Sequence, residues 1–182
     1  MVDGESLLKS IQEFDLPPVE SWNPEYCGDL DLHIKADGSW LYQGTPFTRK
    51  KLILLFSRVI KKEGEQYFLV TPVEKVSIQV DWMPFTIIDF NLVDSEQGQT
   101  FKFLDNCDNQ VELTQTNQLQ MSTYQSQPLP TINMRRNLYA SFSRNCYYRL
   151  LEHADIVSDN DQHQVQINSH GINFSLGEYR EE

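Results

Sequence analysis

Arg49-Lys-Lys-Leu-Ile-Leu-Leu-Phe-Ser-Arg58 and Arg135-Arg-Asn-Leu-Tyr-Ala-Ser-Phe-Ser-Arg144 agree at Arg, Leu, Phe, Ser and Arg, 86 residues apart. Both stretches follow a proline and space their apolar residues three and four apart, the period of an amphipathic helix. The first predicts a helix of about 14 residues from Thr48, its N-cap, to the Glu63-Gly64 stop. The second predicts a helix over roughly 134–154. Strands flank each helix, so the chain reads as two tandem related α+β units. Five identities in ten positions arise by chance roughly once or twice in a chain of this length, so the repeated order of elements carries as much weight as the match.

Stepping 100° per residue places Leu52, Ile53, Phe56, Val59 and Ile60 on one face of the first predicted helix. Arg49 heads that face. Leu138, Tyr139, Phe142, Cys146 and Leu150 cluster in the same way around Arg135. A helix N-terminus carries partial positive charge and favours acids, yet these first turns hold Arg49-Lys50-Lys51 and Arg135-Arg136. Ten of the 15 Lys and Arg fall in the two predicted helices, about 49–63 and 134–154. Two readings of Arg49 and Arg135 stand: each grips an external anion, or each pairs with an acid of the same chain.

The remaining segments read mainly as strands. Leu30, Leu32 and Ile34 alternate, Asp37-Gly38 turns, and Trp40-Leu-Tyr-Gln returns as a hairpin. Tyr67–Val70, Val76–Val80, 85–93, 99–104 and 110–114 carry further strand patterns. The Gln-, Thr- and Ser-rich stretch 115–127 reads as a linker or an edge strand, with Leu119, Met121 and Tyr124 partly buried. A hairpin closes the chain around Ser169-His-Gly171. Residues 1–21 form a short helix (5–14) and linker, 22–84 the first unit and 85–182 the second.

The formal charge of −11 argues against a nucleic-acid polymer or an anionic membrane as partner. No apolar run reaches the length of a membrane span, and the start Met1-Val-Asp-Gly-Glu-Ser lacks the pattern of a signal peptide. Cys27, Cys107 and Cys146 are odd in number and widely spaced, which predicts free thiols and a cytoplasmic location. No phosphate-binding glycine loop, nucleophile elbow or zinc-ligand spacing occurs, so no cofactor or metal is expected. A binding protein is therefore expected ahead of an enzyme. An alternative is a hydrolase or transferase acting on a phosphorylated small molecule, for which Asp37, Cys27 and Glu74 are the candidate bases or nucleophiles. Another is a protein-interaction adaptor using sheet edges. The oligomeric state is open.

Around the arginines, Trp40 offers a stacking surface. Lys75 offers a second cation, Arg136 a third, and Glu74 an acid that could receive Arg49.

These residues also carry a resemblance. Trp22-x-Pro, Cys27-Gly-Asp-Leu-Asp, Asp37-Gly-Ser-Trp40, Gly44-Thr-Pro-Phe-Thr-Arg49, Leu55-Phe-Ser and Tyr67-Phe-Leu-Val-Thr-Pro-Val-Glu-Lys75 resemble the signature of bacterial domain-of-unknown-function family 1285. Leu138-Tyr-Ala-Ser-Phe-Ser-Arg144 and Gly171-Ile-Asn-Phe-Ser-Leu-Gly177 extend the likeness to the second half. The resemblance implies a duplicated α+β core of mixed or antiparallel sheets, each with one long helix. It also implies a second unit superficially like pleckstrin-homology folds, and a small anionic, nucleotide-like ligand between the units with a role in signalling. The ligand-binding residues expected on this reading are Arg49, Arg135, Trp40, Lys75, Glu74 and Arg136. Gln-rich 115–127 and Tyr139-Ala-Ser depart from the family pattern.

Overall fold

A computed structural model of the chain describes residues 16–159 and 162–180. The helix expected over 5–14 lies outside them. The chain divides into two compact units, one ending at Pro84 and the other beginning at Phe85.

The first unit runs β1 (Tyr26–Ile34), β2 (Trp40–Tyr42), β3 (Thr45–Pro46), α1 (Lys50–Arg58), β4 (Ile60–Glu63), β5 (Gln66–Val70) and β6 (Lys75–Val80). Its sheet has the order β3-β2-β1-β6-β5-β4. Neighbours are antiparallel except the central pair, β1 and β6. The expected β1–β2 hairpin is present, and its register sets Ile34 opposite Trp40 and Leu32 opposite Tyr42. All four of these residues except Tyr42 are buried, and the core continues through Leu55, Val59, Ile60 and Ile78.

The second unit runs β7 (Phe85–Ser95), β8 (Gly98–Asp105), β9 (Gln110–Glu112), β10 (Leu119–Tyr124), β11 (Gln127–Arg135), β12 (Leu138–Phe142), α2 (Arg144–Leu151), β13 (Asp155–Asp159), β14 (Gln162–Ser169) and β15 (Ile172–Arg180). The first six strands form a sheet of order β10-β11-β12-β7-β8-β9, again with one parallel pair, β12 and β7, at its centre. Read from the other edge, this is the strand order of the first sheet. Each six-stranded sheet is two three-stranded meanders joined by parallel pairing of its first strand with its sixth. Phe85 and Phe103 are completely buried at the core of the second unit, and Phe90, Phe101 and Phe142 pack around Phe103.

The two sheets repeat, but the decapeptide match that suggested it does not align them. Corresponding strands start 59 and 63 residues apart (Tyr26 and Phe85; Lys75 and Leu138). The match instead sets a helix against a hairpin. Residues 135–144 comprise the end of β11, a two-residue turn, β12 and the cap of α2. Arg136 adopts φ 52° in that turn. Leu138, Phe142, Cys146 and Leu150 lie four apart, a spacing that fits alternation in a strand as well as a helical stripe. Periodicity could not tell the two apart here.

The long helices are also corrected. α1 has nine residues and α2 eight. α1 stops at Arg58, and Ile60 enters β4 opposite Leu69. Lys61 and Lys62 favour helix locally, but completely buried Ile60 is held by its sheet partner. Glu63 is the last residue of β4 and Gly64-Glu65 the hairpin turn into β5, with Gly64 at φ 58°. The N-cap of α1 is Arg49, not Thr48, and it makes no side-chain cap hydrogen bond. The Gln-rich stretch resolves as the edge strand β10.

α2 is capped by Ser143, whose side chain accepts from Cys146 N. Ser143→Ala is expected to cost about 1 kcal/mol, read as a fall in the midpoint of urea unfolding.

β13, β14 and β15 form a separate antiparallel sheet. Its Ser169-His170-Gly171 turn latches onto the second unit's large sheet. Ser169 Oγ accepts from Phe101 N at 3.0 Å and donates to Leu113 O at 2.7 Å, and His170 N donates to Gln99 O at 3.0 Å. Gly171 has φ +73°, and a Cβ there would meet Gln97 O at 3.2 Å. Glycine is the residue that fits. No helix among the described residues is long and apolar enough to cross a membrane.

Candidate functional site

A cleft of about 490 Å³ opens in the first unit where β1–β3 meet the start of α1. Its shape follows from two turns. Asp37 accepts from Ser39 N at 2.9 Å and from Ser39 Oγ at 2.6 Å, which fixes the β1–β2 hairpin. Gln43 and Gly44 both have positive φ, 50° and 70°, as a two-residue hairpin turn requires. The chain then doubles back through Thr45-Pro46, and Phe47 N donates to Trp40 O at 2.8 Å.

Leu30 and Tyr42 form one side of the cleft, Thr45, Pro46 and Phe47 another, and Leu52 and Phe56 of α1 the third. Phe47 and Phe56 stack at 6.1 Å between ring centroids, and Tyr42 tilts onto Phe47 at 6.2 Å. Tyr42 is 40% exposed, so this aromatic cluster faces outward.

Arg49 is the charged residue of the lining. It is exposed and forms no salt bridge with any described residue. The first turn of α1 contains no acid, and Lys50 and Lys51 follow directly. Three successive cations thus stand at the positive end of a helix dipole with no acid in that turn, an arrangement that favours a nearby anion.

The other residues expected at a ligand site are placed elsewhere. Trp40 is 3% exposed and is absent from the cleft lining. Its Nε1 is buried without a hydrogen-bond partner among the described residues. Lys75 is ion-paired with Glu63 and lies 4.4 Å from the Phe68 ring centroid. Glu63 also receives Lys61 at 3.3 Å, and these lysines, Lys75 foremost, hold its carboxyl below the ordinary range. Glu74 does not receive Arg49. Its backbone N–H donates to Thr71 Oγ1 at 3.0 Å, closing the turn before β6.

Arg135 and Arg136 belong to the second unit. Arg135 is on a strand, not at a helix start, with its guanidinium 4.8 Å from the Phe85 ring centroid. It acts electrostatically on completely buried Asp105. Arg135 thus has an internal acid near it, whereas Arg49 has no salt-bridge partner among the described residues. Arg136 is exposed in its turn, and its carbonyl accepts from Asn133 Nδ2 at 2.8 Å. It borders a polar recess of about 310 Å³ together with Gln118, Asn133 and Tyr139.

Of the candidate catalytic side chains, Asp37 is committed to its turn and the Cys27 thiol donates to Glu25 O at 3.3 Å. Asp29 accepts from Tyr26 at 2.5 Å and from Ser77, and these donors lower its pKa, Ser77 most. Among the described residues no group of three or more His, Cys, Asp and Glu is arranged to hold a metal ion. Sequence reasoning missed Tyr42, Phe47 and Phe56 as a site. The available signal was the Gln43-Gly44 turn, which carries aromatics on both sides to the start of a cationic helix.

The description "Domain of unknown function (DUF1285), N-terminal domain" matches residues 17–83, and "Protein of unknown function (DUF1285), C-terminal domain" matches residues 84–176. The chain belongs to the DUF1285 family. A crystal structure of a DUF1285 family protein from Silicibacter pomeroyi DSS-3 is 34% identical, with a TM-score of 0.81, over 97% of this chain and 96% of that one. A second DUF1285 crystal structure, from Shewanella baltica OS155, is 27% identical with a TM-score of 0.55, over 68% of this chain and 91% of that one. No curated protein matches the chain. The division between the two DUF1285 domains falls one residue from the division between the two compact units.

Proposed function

We propose that this DUF1285 protein is a ligand-binding module that holds a small anionic molecule in the cleft at Arg49. The observation that carries the reading is a cation without a carboxylate partner among the described residues, at the rim of an apolar, aromatic-walled cleft. The volume falls within the roughly 300–1,000 Å³ typical of small-molecule sites. Apolar walls with a few fixed polar groups are also the usual composition of such sites. An arginine offers a planar fork of donors that suits carboxylate or phosphate.

Among the described residues no carboxylate, imidazole or thiol lines the cleft to activate the Thr45 or Tyr42 hydroxyl, its other polar side chains. Binding without turnover is therefore the favoured mode, and a regulatory role in which occupancy is sensed by a partner is its natural extension.

Arg49→Ala tests the reading. Thermal unfolding is measured with and without a panel of small anions, both nucleotides and carboxylates. The parent is expected to gain stability with one of them, as any ligand of the folded state confers. The variant is expected to keep its ligand-free midpoint, because Arg49 is exposed, and to bind about 10- to 100-fold more weakly, the worth of one charged hydrogen bond. A lowered ligand-free midpoint would instead give Arg49 a structural role.

A further inference from the structure

We infer that the occupant of the Arg49 cleft is an amphipathic monoanion, a carboxylate with an apolar acyl tail of medium length. This rests on the ligand-binding reading above and narrows it to a chemical class. Three features of the lining carry the inference.

The first is charge. Arg49 is the one ionisable cation in the lining, which suits a single carboxylate. Lys50 and Lys51 follow Arg49 but are not in the lining, and Lys75, also expected at a ligand site, is occupied by Glu63. A nucleoside 5′-phosphate such as AMP or ADP carries about two or more negative charges at neutral pH.

The second is polarity. Leu30, Leu52, Pro46, Phe47 and Phe56 leave two hydroxyl-bearing neighbours, Thr45 and Tyr42. The ring nitrogens of a base and the hydroxyls of a ribose would be buried against carbon without partners, at the full cost of their desolvation. An alkyl tail has no such groups, and its transfer to this surface is favourable for every methylene.

The third is ring geometry. Phe47 and Phe56 lie 6.1 Å apart with planes 13° from parallel, and Tyr42 closes on Phe47 at 6.2 Å. Aromatic pairs in direct contact have centroids about 4.5–7 Å apart, so these rings touch one another and leave no slot for a flat base between them. They form a continuous wall of the kind a flexible chain can lie along.

The experiment is calorimetric titration of the full chain with hexanoate, octanoate and decanoate, each below its micelle concentration, and with AMP and ADP as comparison. One carboxylate is expected to bind per chain, with affinity rising roughly three- to fourfold per added CH₂. Decanol, which has the tail without the charge, is expected to bind at least tenfold more weakly than decanoate, and Arg49→Gln to remove that difference. Phe56→Ser provides a second variant: it should flatten the dependence on chain length while retaining preference for the anion.

Arg49-dependent binding of AMP or ADP without binding of carboxylates would overturn the inference and leave the ligand-binding reading standing. Failure of every probe, or binding that ignores Arg49→Gln, would overturn both. Concentration-dependent dimerisation abolished by Arg49→Gln would assign the cleft to a second copy of the chain and equally overturn the inference.

Discussion

Asp105→Ala is expected to lower the stability of the second unit by about 3 kcal/mol or more, the loss of a buried network of charge-assisted hydrogen bonds. The Asp105 side chain is completely inaccessible. Its Oδ1 accepts from Cys107 N and Asn109 N, both at 2.8 Å, and its Oδ2 from Asn109 Nδ2 at 2.7 Å. These bonds hold the turn between β8 and β9, in which Asp108 takes φ 57°. Alanine leaves one buried and one part-buried amide donor without their acceptor and takes from Arg135 a nearby negative charge. Loss of three bonds in one turn is expected to shift the unfolding midpoint by more than 10 °C, given about 4–8 °C per kcal/mol for a unit of this size.

Asp105→Asn is expected to behave differently. The amide oxygen can still accept from both backbone donors, and a flipped Asn109 can accept from the new NH₂. Burial pushes the Asp105 carboxyl up from 3.8, against the pull of the Asn109 and Cys107 donors and of Arg135. The folded protein therefore holds this proton more tightly than the unfolded chain. The resulting stability is fully present below 3.8 and is lost as the pH rises through the raised value. The asparagine variant lacks this titration. Urea unfolding from pH 4 to 7 should show it gaining on the parent as the pH rises, and a constant difference would contradict the assignment.

Trp40→Ala is expected to cost about 3–5 kcal/mol in the first unit, as for other large aromatic truncations in a core. Trp40 is 3% exposed, opposite completely buried Ile34 on β1, and its carbonyl holds Phe47 N. Trp40→Phe is expected to cost about 1 kcal/mol at most. The lost volume is partly offset by removing an indole N–H that is buried without a partner among the described residues. Because Trp40 does not line the cleft, the phenylalanine variant should bind any Arg49-dependent ligand with parental affinity. Denaturant unfolding and ligand titration of the same pair of variants separate a core role from a stacking role.

Local signals were legible where one period dominated. Leu30, Leu32 and Ile34 alternate and Asp37-Gly38 turns, which marks the hairpin, whereas its register, Ile34 opposite Trp40, depends on the length of the Lys35–Ser39 loop. The turn at Asp105–Asn109 was also legible, but the burial of its acid was not, because Asp is an ordinary turn residue whether solvated or enclosed. Helix length was misread at both sites for a physical reason. Leu138, Phe142, Cys146 and Leu150 satisfy two periods at once, and only the positive φ at Arg136 and the pairing of β12 with β7 decide between them. The same ambiguity placed Arg135 at a helix start. Arg49 was identified by its odd electrostatics, but its aromatic neighbours Tyr42, Phe47 and Phe56 come together through the Gln43-Gly44 turn, which no single period encodes.

The parallel pair at the centre of each sheet bears on when these units can form during synthesis. β1 finds its central neighbour only when residues 75–80 exist, and β7 only when residues 138–142 exist. A nascent chain that ends at Val70 has β1–β3 and the β4–β5 hairpin but lacks β6, the strand that joins them. Closing the sheet at its centre joins segments more than 40 residues apart, the slow kind of contact, because the loop must be closed before the pairing stabilises anything. Each six-stranded sheet is therefore complete only once its sixth strand, β6 or β12, has left the ribosome, and in the second unit β13–β15 are still to come.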